Sequence, residues 1–127
     1  RGEADWATDL PKAICGAELN LNVSKLMFET GLGPRILETL ACGSFLLSNR
    51  NGMLARLFEA GKDLVFFDSL DDLEEKARYY LEHPWERADI AEHGRRKVLE
   101  RHSWLHRARR IVETLEAYGA LPGAAPR

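Results

Sequence analysis

The chain has 127 residues, of which 45% are hydrophobic and 30% are charged, and its formal net charge is −2. This length and composition predict one globular domain with a core of its own. The small net charge excludes a protein whose surface is dominated by positive or by negative charge. No apolar run is long enough to cross a membrane, and the first residues lack the apolar stretch of a signal peptide. We therefore expect a cytoplasmic protein.

The two cysteines indicate the type of thiol chemistry to expect, and the first residue bears on whether the sequence is part of a longer protein. Cys15 and Cys42 lack metal-ligand spacing, so reduced, packed thiols are expected rather than a disulfide or a zinc site. The sequence does not begin with methionine, which suggests a piece of a longer protein.

Helix and strand patterns alternate along the chain. Apolar residues at helical spacing predict a short helix over 9–16, with Asp9 as its N-cap. Alternating leucine and asparagine predict a strand over 19–23, and 24–33 is the loop leaving its carboxyl end. The later predicted elements are a helix over 34–42, a strand over 45–48, a helix over 53–60, a strand over 64–67, and helices over 69–82, 84–101 and 103–118.

The carboxyl half carries three further expectations. Gly94 lies inside the helix over 84–101, so a break near 93–94 is expected there. Residues 119–127 are small and proline-rich, which predicts a disordered tail after a domain over 1–118. The predicted buried face of the helix over 69–82 is Leu70, Leu73, Ala77, Tyr80 and Leu81, and the helix over 103–118 offers Trp104, Leu105, Ala108, Ile111, Val112 and Leu115 for packing.

The alternation of strands and helices predicts an α/β fold. We expect a three-layer, Rossmann-like arrangement, with helices on both faces of a parallel sheet and extra helices at the carboxyl end. Ligands bind such sheets beyond the carboxyl ends of the strands, where the loop over 24–33 lies. Three strands make a thin sheet, so a longer parent protein is expected to supply others.

The stretch from Gly31 to Ser44 contains the candidate site. Gly31 and Gly33 precede a helix that begins at Pro34, and unpaired N–H groups in the first turn of a helix favour an anion such as phosphate. Arg35 adds a charged donor, and Glu38 on the same side can accept hydrogen bonds from a pair of hydroxyls. Phosphate beside a diol describes a nucleotide. The simpler alternative is a surface ion pair between Arg35 and Glu38.

Other polar groups carry weaker signals. His102 and His106 are four residues apart, but no third ligand lies at a recognisable spacing, so no metal and no cofactor is expected. The basic residues between 93 and 110 fall on the outer sides of two amphipathic helices, and Glu92, Glu100, Glu113 and Glu116 interrupt or flank them. They are therefore interpreted as a solvated helix face rather than a nucleic-acid surface.

Several segments, taken together, resemble a known family. Residues 13–118 resemble the second half of the nucleotide-binding domain of group 1 glycosyltransferases of the GT-B type, and most closely the CgeB-like (spore-maturation protein) branch. The segments that carry the likeness are 19–24, 35–47, 57–65, 72–76 with 80–81, and 94–98 with 102–104.

The resemblance implies roles for particular residues. Glu38 would hold the ribose hydroxyls of a nucleoside-diphosphate sugar, and the amides after Gly33, with Thr39, would lie near the diphosphate. Arg35 would contribute charge there. Relatives place a sugar-contacting glutamate eight positions before the residue matching Glu38, where this sequence has threonine, and its nearest carboxylate is Glu29.

The resemblance also implies what else the enzyme needs. Such glycosyltransferases have an amino-terminal acceptor domain and earlier strands of the same sheet, neither of which is visible here. The expected partners are therefore a nucleoside-diphosphate sugar and that missing domain, and the isolated chain is expected to be inactive.

Three alternatives stay in view. The first is a non-catalytic interaction or binding module of the same fold. The second is a receiver-like regulatory domain, which is disfavoured because no acidic pair ends a first strand. The third is nucleic-acid binding through the basic helices, which would weaken steeply with salt.

Overall fold

The structure is a computed structural model that describes residues 5–24 and 32–119. Every predicted helix and strand is present there near its predicted place. The predicted tail lies, from residue 120 onward, outside the described residues. The helices are α1 (Asp9–Gly16), α2 (Pro34–Ala41), α3 (Gly52–Leu57), α4 (Leu70–Glu82), α5 (Pro84–Arg101) and α6 (Trp104–Ala117), and the strands are β1 (Asn20–Asn22), β2 (Leu46–Asn49) and β3 (Val65–Phe67).

The three strands form one parallel sheet in the order β1-β2-β3. Leu21 lies opposite Leu47 in the register, and Leu47 lies opposite Val65. The predicted α/β fold with a parallel sheet is confirmed. Within the described sheet β1 is an edge strand, and its Leu21 is 51% exposed.

Apolar side chains cover both faces of this sheet. On one face, Leu46 and Phe66 pack against α2, α3 and the end of α5. On the other, Leu47 and Val65 pack against α4 and the middle of α5. The buried members are Ile36, Leu40, Leu46, Leu54, Phe58, Leu64, Phe66 and Val98 on the first face, and Phe45, Leu47, Val65, Phe67, Tyr80, Ile90 and Ala91 on the second.

Side-chain caps begin three of the helices. Ser69 and Ser103 each accept a hydrogen bond from the N–H three residues on, at 3.1 and 3.5 Å, which is the usual geometry of a serine N-cap. Asn51 caps α3 by accepting from two N–H groups of its first turn, at 2.8 and 3.3 Å. The N-cap of α1 is Thr8 rather than the predicted Asp9.

The predicted break in α5 is wrong, because the helix continues through Gly94 to Arg101. A Cβ atom at Gly94 would stand 2.2 Å from the carbonyl oxygen of Asp63 and 3.0 Å from the Leu40 side chain. Glycine is therefore required there by the close approach of α5 to the chain that precedes β3. It does not mark the end of a helix.

On α4 and α6, fewer apolar side chains are buried than the sequence predicts. On α4, Leu73, Ala77 and Tyr80 pack against the sheet face that includes Phe45 and Val65, but Leu70 and Leu81 are exposed. No residue of α6 is buried. Its apolar side stays exposed within the described part of the chain: Trp104, Leu105, Ile111, Val112 and Leu115.

We predict that Gly94→Ala destabilises the fold by about 1–3 kcal/mol, because the added methyl group overlaps a backbone oxygen that cannot rotate away. Helix propensity alone predicts the opposite, a gain of about 1 kcal/mol. Urea unfolding midpoints measure the difference.

Gly16→Ala is the matched control, since a Cβ atom at this helical glycine meets nothing within 4 Å. We expect its stability to stay within about 0.5 kcal/mol of the parent. A Gly94→Ala protein as stable as the parent would contradict the close approach.

Candidate functional site

The residues directly after the three strands meet at one edge of the sheet, where polar side chains connect them. The Asn49 side chain accepts a hydrogen bond from the N–H of Ser24 at 2.7 Å and donates one to the Ser24 carbonyl at 3.2 Å. Arg50 forms a two-pronged contact with Asp68 at 2.9 and 3.3 Å and lies over the Phe66 ring. Ser24, which follows β1, is thus attached to the end of β2, and the end of β2 is attached to the end of β3.

Helix α2 begins next to this edge as the sequence predicts. Gly33 is its N-cap in an extended conformation, Pro34 is at the first helical turn, and Gly43 past its end has a φ of +71°. No side chain of the described residues caps its N-terminus. A Cβ atom at Gly33 would meet nothing within 4 Å.

Arg35 and Glu38 project from α2 without a partner among the described residues. Arg35 is exposed and Glu38 is half-buried. Neither side chain forms a hydrogen bond or an ion pair within 5–24 and 32–119. The alternative of a surface ion pair between them is therefore wrong for this structure.

Thr39 does not share the exposed side of α2. It is 3% exposed, and its hydroxyl donates a 2.8 Å hydrogen bond to the carbonyl of Arg35. Its side chain is therefore buried beside Leu40, although the resemblance implies a place for Thr39 near the diphosphate. Gly31 and Glu29, also expected in the site, lie outside the described residues.

Glu38 lines two shallow apolar grooves on either side of α2. The first, the α6 groove, has a volume of about 280 Å³ and separates α2 from the α5–α6 junction. Its walls are Leu32, Pro34, Leu37, Glu38 and Ala41 on one side and Val98, Leu99, His102, Ser103, Trp104 and Arg107 on the other. The second, the α1 groove, has a volume of about 370 Å³ and is lined by Trp6, Ala7, Leu10, Pro11, Ile14, Glu38, Ala41 and Cys42.

The far wall of the α6 groove was not identified from the sequence. Trp104 and Arg107 lie there together, with the guanidinium 5.7 Å from the ring centre. Both were assigned to general packing or to a solvated face. Their spacing of three residues beside the Ser103 cap is the signal that places them on one side of a helix start.

His102 in the same wall has a shifted acidity. Burial lowers its pKa below the ordinary value of 6.5, and the positive charges of Lys97 and Arg107 add to the effect. Its ring lies 5.4 Å from that of Phe58. The neutral imidazole is the form that this environment favours.

His102 and His106, four residues apart, have different neighbours in the structure. His106 shares a 2.7 Å hydrogen bond with the Ser103 hydroxyl. Across the described residues no three metal-ligating side chains converge. None of the helices within 5–24 and 32–119 combines the length and apolarity that a bilayer crossing requires.

Comparison with known proteins gives the family. A model of the family described as glycosyl transferase-like matches residues 2–113. The chain belongs to this family. Among curated proteins no sequence matches it.

A solved structure supports the fold of this glycosyl transferase-like chain. Anabaena Alr3699/HepE, crystallised in complex with UDP-glucose, aligns with a TM-score of 0.73 and 21% sequence identity over 87% of this chain. That likeness shows a shared Rossmann-like fold. The chain spans 30% of the length of the Anabaena protein.

We predict that the environment of His102 makes the fold less stable as the pH falls below about 6.5, because the unfolded chain then takes up a proton that the folded chain binds less readily. Above that pH both states hold a neutral imidazole and the effect vanishes. His102→Gln should flatten this part of the pH dependence, measured as urea midpoints between about pH 7.5 and 5.5.

The exposed residue His93 supplies the control, since His93→Gln removes a histidine from α5 without touching the groove. It should retain the slope of the parent protein. An unchanged slope in His102→Gln would contradict the assignment.

Proposed function

We propose that this chain is part of the donor-binding domain of a glycosyltransferase and that it holds a nucleoside-diphosphate sugar at the start of α2. The observation that carries the proposal is the half-buried residue Glu38, whose carboxylate has no hydrogen-bond or ion-pair partner within 5–24 and 32–119 and which lies one turn into a helix whose N-terminus no described side chain caps, in a chain of the glycosyl transferase-like family. The UDP-glucose bound by the Anabaena protein makes a uridine diphosphate donor the first to test.

The proposed arrangement divides the donor into three parts. The diphosphate lies at the Gly31–Gly33 loop and the first amides of α2, with Arg35 beside it. Glu38 accepts hydrogen bonds from the ribose hydroxyls. Glu29, which lies earlier in the same loop, is the candidate for the sugar, and Thr39 supports the first turn of α2 through its bond to Arg35.

The chemistry explains why these groups suit the reaction. Transfer of a sugar from a nucleoside diphosphate leaves negative charge on the departing diphosphate. Backbone amides at a helix N-terminus and a nearby guanidinium stabilise that charge where it develops, without having to reorient. This chain would supply part of that stabilisation.

The share of the Anabaena protein that the chain covers supports a site that needs further protein. The chain spans 30% of the length of that protein, which was crystallised with UDP-glucose. The grooves beside Glu38 are about 280 and 370 Å³, at the lower end of the roughly 300–1,000 Å³ usual for ligand pockets. We therefore propose that the missing amino-terminal acceptor domain completes the pocket, and that the isolated chain does not turn over.

Two finer assignments from the sequence remain predictions. One is the CgeB-like branch of the family, and the other is a cytoplasmic location. A non-catalytic interaction module is the second candidate function, and the exposed apolar side of α6 is the observation that favours it.

We predict that Glu38→Ala weakens binding of UDP by about 10–100-fold, because two charge-assisted hydrogen bonds to the ribose are lost. Backbone amide chemical shifts, followed while the chain is titrated with UDP, GDP, ADP and inorganic phosphate, give the affinities and show which nucleobase is preferred. The substitution should weaken the binding of uridine by a similar factor, because uridine carries the same ribose.

Glu82→Ala, at the exposed end of α4, is the matched control and should leave the affinity unchanged. If a well-folded chain shows no shift with any nucleotide at millimolar concentration, the interaction module becomes the preferred function.

Arg35 should behave differently from Glu38. We predict that Arg35→Gln weakens the binding of UDP by up to about tenfold but leaves the binding of uridine unchanged, because only the diphosphate contacts the guanidinium. Arg96→Gln on α5 removes an equally exposed arginine elsewhere and serves as control. Equal losses for UDP and uridine would place Arg35 outside the diphosphate site.

A further inference from the structure

The two cysteines, 27 residues apart in the sequence, come together in the fold. Cys15 is the residue before the last of α1, and Cys42 is the C-cap of α2. The Cys15 thiol lies 3.7 Å from the carbonyl oxygen of Cys42, close enough for a weak hydrogen bond. Both are free thiols in the structure.

The contacts around the pair fix the two helix ends relative to each other. The carbonyl of Ile14, next to Cys15, accepts hydrogen bonds from the hydroxyl of Ser44 at 3.2 Å and from the side chain of Asn20 at 3.3 Å. Ser44 follows Cys42 by two residues across the tight turn at Gly43. The neighbourhood of the thiols is therefore tied to the starts of β1 and β2 and does not depend on exposed side chains.

The two thiols differ in accessibility and acidity. Cys15 is exposed, whereas Cys42 is partly buried and lines the α1 groove. Burial raises the pKa of Cys42, and the neighbouring Cys15 and the carboxylate of Glu38 raise it further. An external reagent therefore reaches Cys15 first, and Cys42 is the second, internal thiol.

We propose that Cys15 and Cys42 are an oxidisable dithiol that forms a reversible disulfide between the ends of α1 and α2. Sequence spacing alone gives no reason to pair them. The pairing depends on the fold, which brings an accessible thiol and a shielded thiol to one point.

The chemistry balances with a low-molecular-weight disulfide, such as glutathione disulfide, as oxidant. The Cys15 thiolate attacks one sulfur of the oxidant, the oxidant S–S bond breaks, and one small thiolate leaves and takes up a proton. The Cys42 thiolate then attacks the Cys15 sulfur of the mixed disulfide and expels the second small thiol. Two electrons pass from the protein sulfurs to the oxidant, which ends as two thiols.

Formation of the bond would alter the surface beside Glu38. The sulfur atoms must approach to about 2.05 Å, which draws the end of α1 toward the end of α2. Glu38 lies one helical turn before Cys42, and both line the α1 groove. Oxidation should therefore change nucleotide affinity, a consequence that rests on the proposed function above.

The first experiment measures the dithiol alone. The whole chain is equilibrated with mixtures of reduced and oxidised glutathione, quenched with an alkylating agent and analysed by peptide mass. We expect a peptide linking Cys15 to Cys42 that has lost two hydrogen atoms and is restored by reductant. Cys15→Ser and Cys42→Ser are the matched controls, and each should give at most a glutathione adduct.

A measurement in denaturant tests whether the fold, rather than random encounters in the unfolded chain, brings Cys15 and Cys42 together. The equilibrium constant for disulfide formation should be at least about tenfold larger in buffer than in urea, because the fold raises the effective concentration of one thiol at the other. Stable glutathione adducts on the parent chain with no linked peptide would overturn the proposal, as would an equal or smaller constant in buffer.

The second experiment measures UDP affinity of the reduced and the oxidised chain. We expect the two to differ by at least about fivefold, with the Cys15→Ser protein insensitive to oxidant. If the reduced and the oxidised chain bind UDP with equal, measurable affinities, the proposed coupling between the disulfide and the nucleotide site is wrong. Absence of UDP binding in both forms, with the linked peptide present, would count against the proposed function and leave the dithiol in place.

Discussion

The close approach of α5 to the chain before β3 is the contact on which the rest of the structure depends. Gly94 leaves room for the carbonyl of Asp63, and the buried carboxylate of Asp63 pairs with the ammonium of Lys97 one turn later and accepts the N–H of Glu59 at 2.8 Å. Because a buried carboxylate is costly unless it is paired, Lys97 fixes where α5 crosses. One helix can then pack its middle against one face of the sheet and its end against the other.

That crossing also positions the candidate site. Val98, Leu99 and His102 follow Gly94 on the same helix and form the far wall of the α6 groove, opposite Glu38 on α2. A shift of α5 by a fraction of a turn would move this wall and leave α2 without its main packing partner. The stability of the fold and the shape of the groove therefore have a common origin.

How much the sequence can predict depends on the range of the interaction. The start of α2 at Pro34 and the cap at Ser69 follow from neighbouring residues, so local pattern is sufficient for them. Gly94 was misread because its neighbour, Asp63, is distant in the sequence, and helix propensity has no information about such a contact. The burial of Thr39 and the meeting of Cys15 with Cys42 were missed for the same reason, since each depends on how α2 is rotated against its neighbours.

The position of Glu38 connects the unpartnered surfaces to the proposed site. Glu38 is half-buried and lines two apolar grooves, and a carboxylate in such surroundings is costly unless water or a hydrogen-bond donor reaches it. The exposed Leu21 of β1 and the apolar side of α6 offer further surface to a covering protein. If such a protein closed over the grooves, water would leave Glu38, and the carboxylate would then need a hydrogen-bond donor from a ligand. Under the proposed function, covering the groove and binding a diol would each make the other more favourable.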